Sequence, residues 1–271
     1  MTISDISLTS GMRSNLLTLQ STATLLDRTQ NRLSTGKRVN TALDNPVNFF
    51  AAQGLNNRAS DLSALKDGMS EAIQTVKAAD NGITGITKLI ESAKGLAQAA
   101  RSADSTGRAD LATQFDALLD QLDELAGDAG YKGINLLDNG SLDVVFNEDG
   151  SSKLTISGIT GTATGLGVSD AVSSWAADAD IDAAVADLTA ALGTLRTTSS
   201  TLSANLNIVS TRQEFTSSMI NTLQTGADNL TLADMNEEGA NMLMLQTRQS
   251  LGVTALSLSS QAAQSVLRLF G

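Results

Sequence analysis

The chain of 271 residues contains no cysteine and no histidine. Without cysteine there is neither a disulfide framework nor a thiolate metal site, and no inference about redox compartment follows. With histidine missing too, the commonest general base, the thiol nucleophile and the usual transition-metal ligands are gone. No G-x-S-x-G elbow supplies a serine nucleophile in their place. The expectation is a protein with no cofactor, no metal and no enzymatic activity.

Aromatic residues make up only 3% of the chain, and there is a single proline, Pro46. The 41% of hydrophobic residues must therefore be largely Leu, Ile, Val, Ala and Met, which suits long, closely packed helices better than a bulky globular centre. No uninterrupted apolar run of about 18 residues occurs, which excludes an ordinary transmembrane helix. The opening stretch MTISDISLTSGMRSNLLTLQ lacks a basic start followed by an apolar run. A cleaved signal peptide is not expected, and any export would use another route.

Positive charge is scarce where negative charge collects. Residues 1–60 carry six basic and three acidic side chains, residues 61–230 ten and twenty-three, and residues 231–271 two and three. The middle is thus at -13 and the ends at +3 and -1, which together give the net -11. An acidic middle argues against nucleic acid or an anionic membrane as partner, since both need clustered Lys and Arg. Near-neutral ends permit many copies to associate closely.

What the chain does have is heptad spacing. Met12, Leu16, Leu19, Ala23, Leu26, Gln30 and Leu33 step by four and three residues in alternation. A stronger run follows without a miss: Leu62, Leu65, Met69, Ala72, Val76, Ala79, Ile83, Ile86, Ile90, Ala93, Ala97 and Ala100. Leu111, Phe115, Leu118, Leu122 and Leu125 make a third. Helical spacing resumes at Ile181 and passes through Leu188, Leu195, Leu202, Val209 and Leu223 to Leu230. A looser last seam holds Met242, Leu245, Leu256, Ala263, Val266 and Phe270.

Between the helical runs, SLDVVFNEDGSSKLTISGI places β-branched and aromatic residues around Asp149 and Gly150, a hairpin signal. Its surroundings are rich in Gly, Ser, Thr and Asp, so residues 136–178 read as a small outward β and loop insertion. Trp175 is expected to pack this insertion onto the helices. Such an order predicts a mainly α chain: an elongated antiparallel helical hairpin or bundle of long heptad helices, with a small β-hairpin insertion and the N- and C-terminal helices paired. The expected domains are 1–40 with 231–271 as a terminal coiled-coil core, 41–135 with 179–230 as a helical rod, and the insertion 136–178.

Three motifs suggest chemistry and are better read as structure. STGK is reminiscent of a phosphate loop, but Asn31 stands where its first glycine belongs and a helix precedes it, so a turn between helices is expected. Asp178, Asp180 and Asp182 have calcium-loop spacing without the later Gly and Glu, and suit the positive end of a helix. Asp123 and Glu124 read as a solvated helix face.

The segment NRLSTGKRVNTALDNPVNFFAAQGL resembles the N-terminal signature of bacterial flagellins: a heptad helix ending in LSSG-like residues, then R-[IV]-N-[ST]-A-x-D. YKGINLL resembles that family's aromatic-x-Gly-x-Asn-Leu-Leu segment. NLTLADMNEEGANMLMLQTRQSLGVTALSLSSQAAQSVLRLF resembles its C-terminal region. DNPVNFF, where many members have DDAAG, is closer to alphaproteobacterial variants, and the variable region is short.

The resemblance implies a structural subunit of the secreted, extracellular flagellar filament, polymerising with itself for swimming motility. It also implies export unfolded through the flagellar type III apparatus with an export chaperone, and contact with hook-associated junction and cap proteins. The alternative within the superfamily is a hook-filament junction protein; outside it, a soluble helical signalling or enzyme module. Assembly would rest on Met12, Leu16, Leu19, Ala23, Leu26, Leu33, Met242, Leu245, Leu256, Ala263, Val266 and Phe270. Gly36, Pro46, Phe49 and Phe50 would form a connector, with both rings anchoring the chain as it re-enters the rod. Flagellins detected by the animal innate receptor carry a segment similar to LQRVRELSVQ. Here LIESAKGLAQ puts Glu91 at its arginine and Gly95 at its leucine, with Lys94 between, so that patch is degenerate and recognition is not expected.

Overall fold

The computed structural model describes residues 10–270, with side chains through residue 265. The chain is mainly α. Its helices are α1 (Ser10–Thr35), α2 (Pro46–Ala100), α3 (Ser105–Asp128), α4 (Asp178–Thr231) and α5 (Met235–Phe270). Between α3 and α4 lies one antiparallel hairpin, β1 (Ser141–Val145) with β2 (Lys153–Ser157). Among the described residues no helix is long and apolar enough to cross a membrane. Two compact units result, Arg58–Thr222 and Met1–Asn57 with Leu223–Gly271, and the division falls inside α2 and α4.

The unit Arg58–Thr222 has a complete core. From Met69 to Ala100 every position of the predicted α2 seam is at most 4% exposed. From α4 it meets the buried Ile181, Leu188, Leu195, Leu202 and Val209. Both seams mix small Ala residues with larger Leu, Ile, Val and Met, and small residues let packed helices approach closely. On α3 the inward positions are Ala112, Phe115, Leu119, Leu122 and Ala126. Leu111, Leu118 and Leu125, which the spacing favoured, sit half-buried at the edge. Two polar rungs cross this core: the Ser199 hydroxyl donates to Asp80 at 2.7 Å, and the Gln213 amide donates to Ser70 at 2.6 Å.

The YKGINLL stretch closes α3. The Asn135 side-chain amide donates to the carbonyls of Ala126 and Gly127 at 2.7 and 3.0 Å, satisfying two of the acceptors a helix end leaves open. The next two residues, Leu136 and Leu137, are buried. The hairpin then turns at Asp149 and Gly150, where Gly150 takes φ +71°. Leu142 pairs with Ile156 and Val144 with Leu154, and Val144 and Ile156 face inward.

The insertion is fastened to α3. Trp175 is completely buried, its ring centroid 4.9 Å from that of Phe115, as expected of a residue packing the insertion onto the helices. Asp123 is more than a solvated carboxylate: it accepts the Ala163 N–H at 2.6 Å, while Asp116 accepts the Ala171 N–H at 2.7 Å. The spacing could not show this, because the partners are backbone groups of an irregular loop. Asp178 and Asp180 occupy the first turn of α4, and Asp178 and Asp182 pair with Arg108 and Arg101. They serve a helix terminus, and among the described residues no acidic group is arranged to hold a metal ion.

Candidate assembly interface

In the other unit, α1 packs against α5. Arg32 meets Glu238 and Leu19 meets Gly252, so facing residue numbers sum to 270 or 271 and the helices run antiparallel. The start of α5 is set by Asp234, whose carboxylate accepts the N–H groups of Asn236 and Glu237 at 2.8 and 3.3 Å. Glu237 and Glu238 add negative charge to that first turn, where the helix dipole favours it.

The stripe that α1 turns inward is Met12, Asn15, Leu19, Thr22, Leu26, Thr29 and Leu33. It shares Met12, Leu19, Leu26 and Leu33 with the predicted seam. At the alternate positions Asn15, Thr22 and Thr29 replace Leu16, Ala23 and Gln30. Thr22 and Thr29 are 3% and 6% exposed, and the Thr22 hydroxyl satisfies itself on the Thr18 carbonyl at 2.8 Å. Ala23 is half-buried at the edge, whereas Leu16 is 37% exposed. The α5 stripe is Glu238, Met242, Leu245, Gln249, Gly252, Leu256, Ser259 and Ala263, again in alternating fours and threes. Of these Leu245 is 5% exposed and Met242, Leu256 and Ala263 are half-buried. The side chains of Val266 and Phe270 lie outside the described residues.

The two connectors zip together. Gly36 ends α1 at φ +70°, its N–H donating to the Arg32 carbonyl at 2.8 Å, a conformation that a Cβ would strain. Arg38 and Val39 then donate to the Thr231 carbonyl at 2.7 and 3.2 Å, and Ala233 donates to Gly36 at 3.0 Å. Val39 is buried there. The Asp44 carboxylate gathers the N–H of Asn40, the N–H of Thr41 and the Thr41 hydroxyl at 3.0–3.1 Å. These bonds, those from the Thr41 and Asn40 backbone foremost, hold its carboxyl below the usual aspartate range.

Pro46 begins α2 rather than lengthening the connector. It is the first helical residue, where a missing N–H costs nothing, and Asn45 before it accepts the Asn48 N–H at 3.1 Å. Phe49 and Phe50 meet edge to face at 5.5 Å. Phe49 is half-buried, whereas Phe50 is 61% exposed. Adjacent helical residues point about 100° apart, and one narrow contact cannot hold two of them.

This unit leaves its apolar surface uncovered. Among the described residues sixteen large apolar side chains are exposed, and thirteen belong here; only Val172, Ile208 and Phe215 lie in the other unit. On α5, Met244, Leu251 and Leu258 are 50%, 66% and 62% exposed and recur every seven residues, each one place before a residue of the inward stripe. On α1, Leu16, Leu17 and Leu25 are exposed as well. A helix with two heptad stripes is built to pack on two sides, and α1 covers one of them.

In the unit Arg58–Thr222, Glu91 and Gly95 are exposed on α2, while Lys94 is half-buried and donates to the Thr189 hydroxyl at 2.9 Å.

Comparisons with known proteins bear on both units. Residues 6–141 match the family described as the bacterial flagellin N-terminal helical region. Flagellin FljM of Caulobacter vibrioides is 32% identical over 280 residues, covering all of both chains. The flagellin of Brucella melitensis is 29% identical over 268 residues, 94% of this chain and 95% of its own. The crystal structure of Bacillus cereus flagellin superposes with a TM-score of 0.48 at 18% identity, over 55% of this chain and 88% of that one.

Proposed function

This chain belongs to the bacterial flagellin family, and from that membership we propose how it works as the subunit of an extracellular flagellar filament. The protein is structural and polymerises with itself. The uncovered stripes of α1 and α5 are the surfaces that neighbouring copies bury, and this one observation carries the reading. At roughly 25 cal/mol per Å² of apolar area, even a few leucines per contact add several kcal/mol. Repeated along a polymer, such contacts hold a filament.

Under this reading residues 1–40 with 231–271 form the inner assembly domain, residues 41–135 with 179–230 the rod around it, and residues 136–178 the outward insertion. Export through the flagellar type III apparatus with a chaperone, and contact with junction and cap proteins, follow from the same membership. The acidic stretch 61–230 and the near-neutral ends suit an outside in water and an inside against copies of the chain. Glu91 and Gly95 on the exposed face of α2 make the animal innate receptor a non-partner; purified protein should leave receptor-bearing reporter cells silent.

Removing about 30 residues from each end tests the reading by electron microscopy. The truncated chain should stay helical and soluble and form no ordered filaments. Filaments formed as readily as by the full chain would overturn it.

A further inference from the structure

We propose that the Arg32–Glu238 ion pair is a register key: it selects one among several heptad alignments of α1 on α5, and so sets the composite surface that copies recognise. The proposal rests on the filament reading above.

The apolar stripe alone selects poorly. Met12, Leu19, Leu26 and Leu33 recur every seven residues, and the inward positions of α5 do the same. A slip of seven residues, about 10 Å along the axis, would again set large apolar residues of α1 against the α5 stripe. Something other than burial has to distinguish these alignments.

Two features do. The Glu238 side chain is 8% exposed, and Arg32 Nη1 stands 2.8 Å from its Oε1. On the observed alignment, a slip of seven one way sets Glu238 level with Leu25, which carries no charge, and the other way takes it past the end of α1 at Thr35. A carboxylate buried without its cation is strongly unfavourable, so both slips are penalised. Gly252, which receives Leu19, adds a steric preference for the same alignment: slipped, Leu19 would stand level with Leu245 or Ser259.

The ion pair is also incompletely satisfied. Arg32 Nε and Glu238 Oε2 are both buried and have no hydrogen-bond partner among the described residues. A pair that leaves polar atoms unpaired gives up much of its Coulombic gain to desolvation, so it is poorly suited to add stability and well suited to select an arrangement. What it selects matters outside the pair. The alignment decides where Leu16, Leu17 and Leu25 of α1 stand beside Met244, Leu251 and Leu258 of α5, and a neighbouring copy meets that combined pattern.

The test uses the full chain, whose lack of cysteine makes introduced pairs unambiguous. Leu19→Cys with Gly252→Cys reports the native alignment by disulfide yield; Leu19→Cys with Leu245→Cys or with Ser259→Cys reports the slipped ones. In these backgrounds and without them, Arg32→Glu, Glu238→Arg, the double exchange and the isosteric Glu238→Gln are compared for cross-linking and sedimentable filament. We expect each charge reversal to lower filament yield at least tenfold and to raise the slipped cross-link. The double exchange should restore both to within about threefold. Absence of any slipped cross-link in all the variants, or a double exchange no better than its parts, overturns the key. If the unaltered chain forms no filament, the filament reading falls, while the cross-link pattern still decides the key.

Discussion

Leu19 fills the space that Gly252 leaves: a Cβ built on residue 252 would stand 2.8 Å from Leu19 Cδ2 and 3.1 Å from its Cγ. A leucine methyl can swing away from one added carbon, and alanine gains up to about 1 kcal/mol of helix propensity over glycine. Gly252→Ala is therefore close to neutral. Gly252→Val brings a branched side chain that leucine cannot avoid, with an overpacking cost of about 1–3 kcal/mol. It should reduce polymerisation, and Leu19→Ala in the same chain should restore part of it. Filament yield of the single and double variants, compared as a cycle, checks the contact; independent effects would count against it.

Inward and outward stripes should fail differently. Leu19→Asp or Leu256→Asp places a carboxylate between α1 and α5 with no cation assigned to it, and should abolish both their pairing and polymerisation. Leu251→Asp changes a side chain that is 66% exposed. It should leave chain stability within about 0.5 kcal/mol and still suppress filaments. Hydrogen exchange on α1 separates the cases, and Trp175 emission should be native in all three.

How legible this was varied along the chain for physical reasons. The α2 seam from Leu62 to Ala100 was read in full because that helix has one apolar face, and every seam position is Leu, Ile, Val, Ala or Met. On α1 the same rule preferred Leu16 to Asn15 and Gln30 to Thr29. Hydrophobicity marks what a helix buries somewhere, and α1 has leucines for more than one surface. The hairpin turn at Asp149 and Gly150 was visible because its φ needs a particular residue type. The pairing of residues 36–39 with 231–233 was not, because backbone hydrogen bonds are indifferent to side chains. Arg32 and Glu238 lie 206 positions apart, and no local pattern joins them.

Phe115 and Trp175 are both completely buried against each other. Phe115→Ala removes one ring from a closed core and should cost about 3–5 kcal/mol in the unit Arg58–Thr222. Because Trp175 is the only tryptophan, its emission reports this unit directly. A red shift in native buffer and an earlier denaturation midpoint are expected. An unchanged midpoint would mean that the insertion is held by Asp116 and Asp123 rather than by the ring contact.

Acid should loosen the connectors first at Asp44. Its folded carboxyl titrates below the usual aspartate range because the Thr41 and Asn40 N–H groups and the Thr41 hydroxyl all bond its ionised form, with the nearby Arg32 charge adding a little. As pH falls, the unfolded chain takes up that proton first, so protonation favours the open state. The contribution is complete above about pH 5, starts to fall near pH 4, and is gone once pH passes below the lowered folded value. Glu148, also lowered by a backbone N–H and by Arg58, titrates with the same sign in the other unit. The amides of Arg38 and Ala233, whose bonds close the connectors, should lose exchange protection as pH drops through that window, after correction for intrinsic rates. Asp44→Asn keeps an acceptor oxygen and cannot titrate, so it should flatten the change. Equal loss of protection in Asp44→Asn and the native chain would place the acid-sensitive group elsewhere.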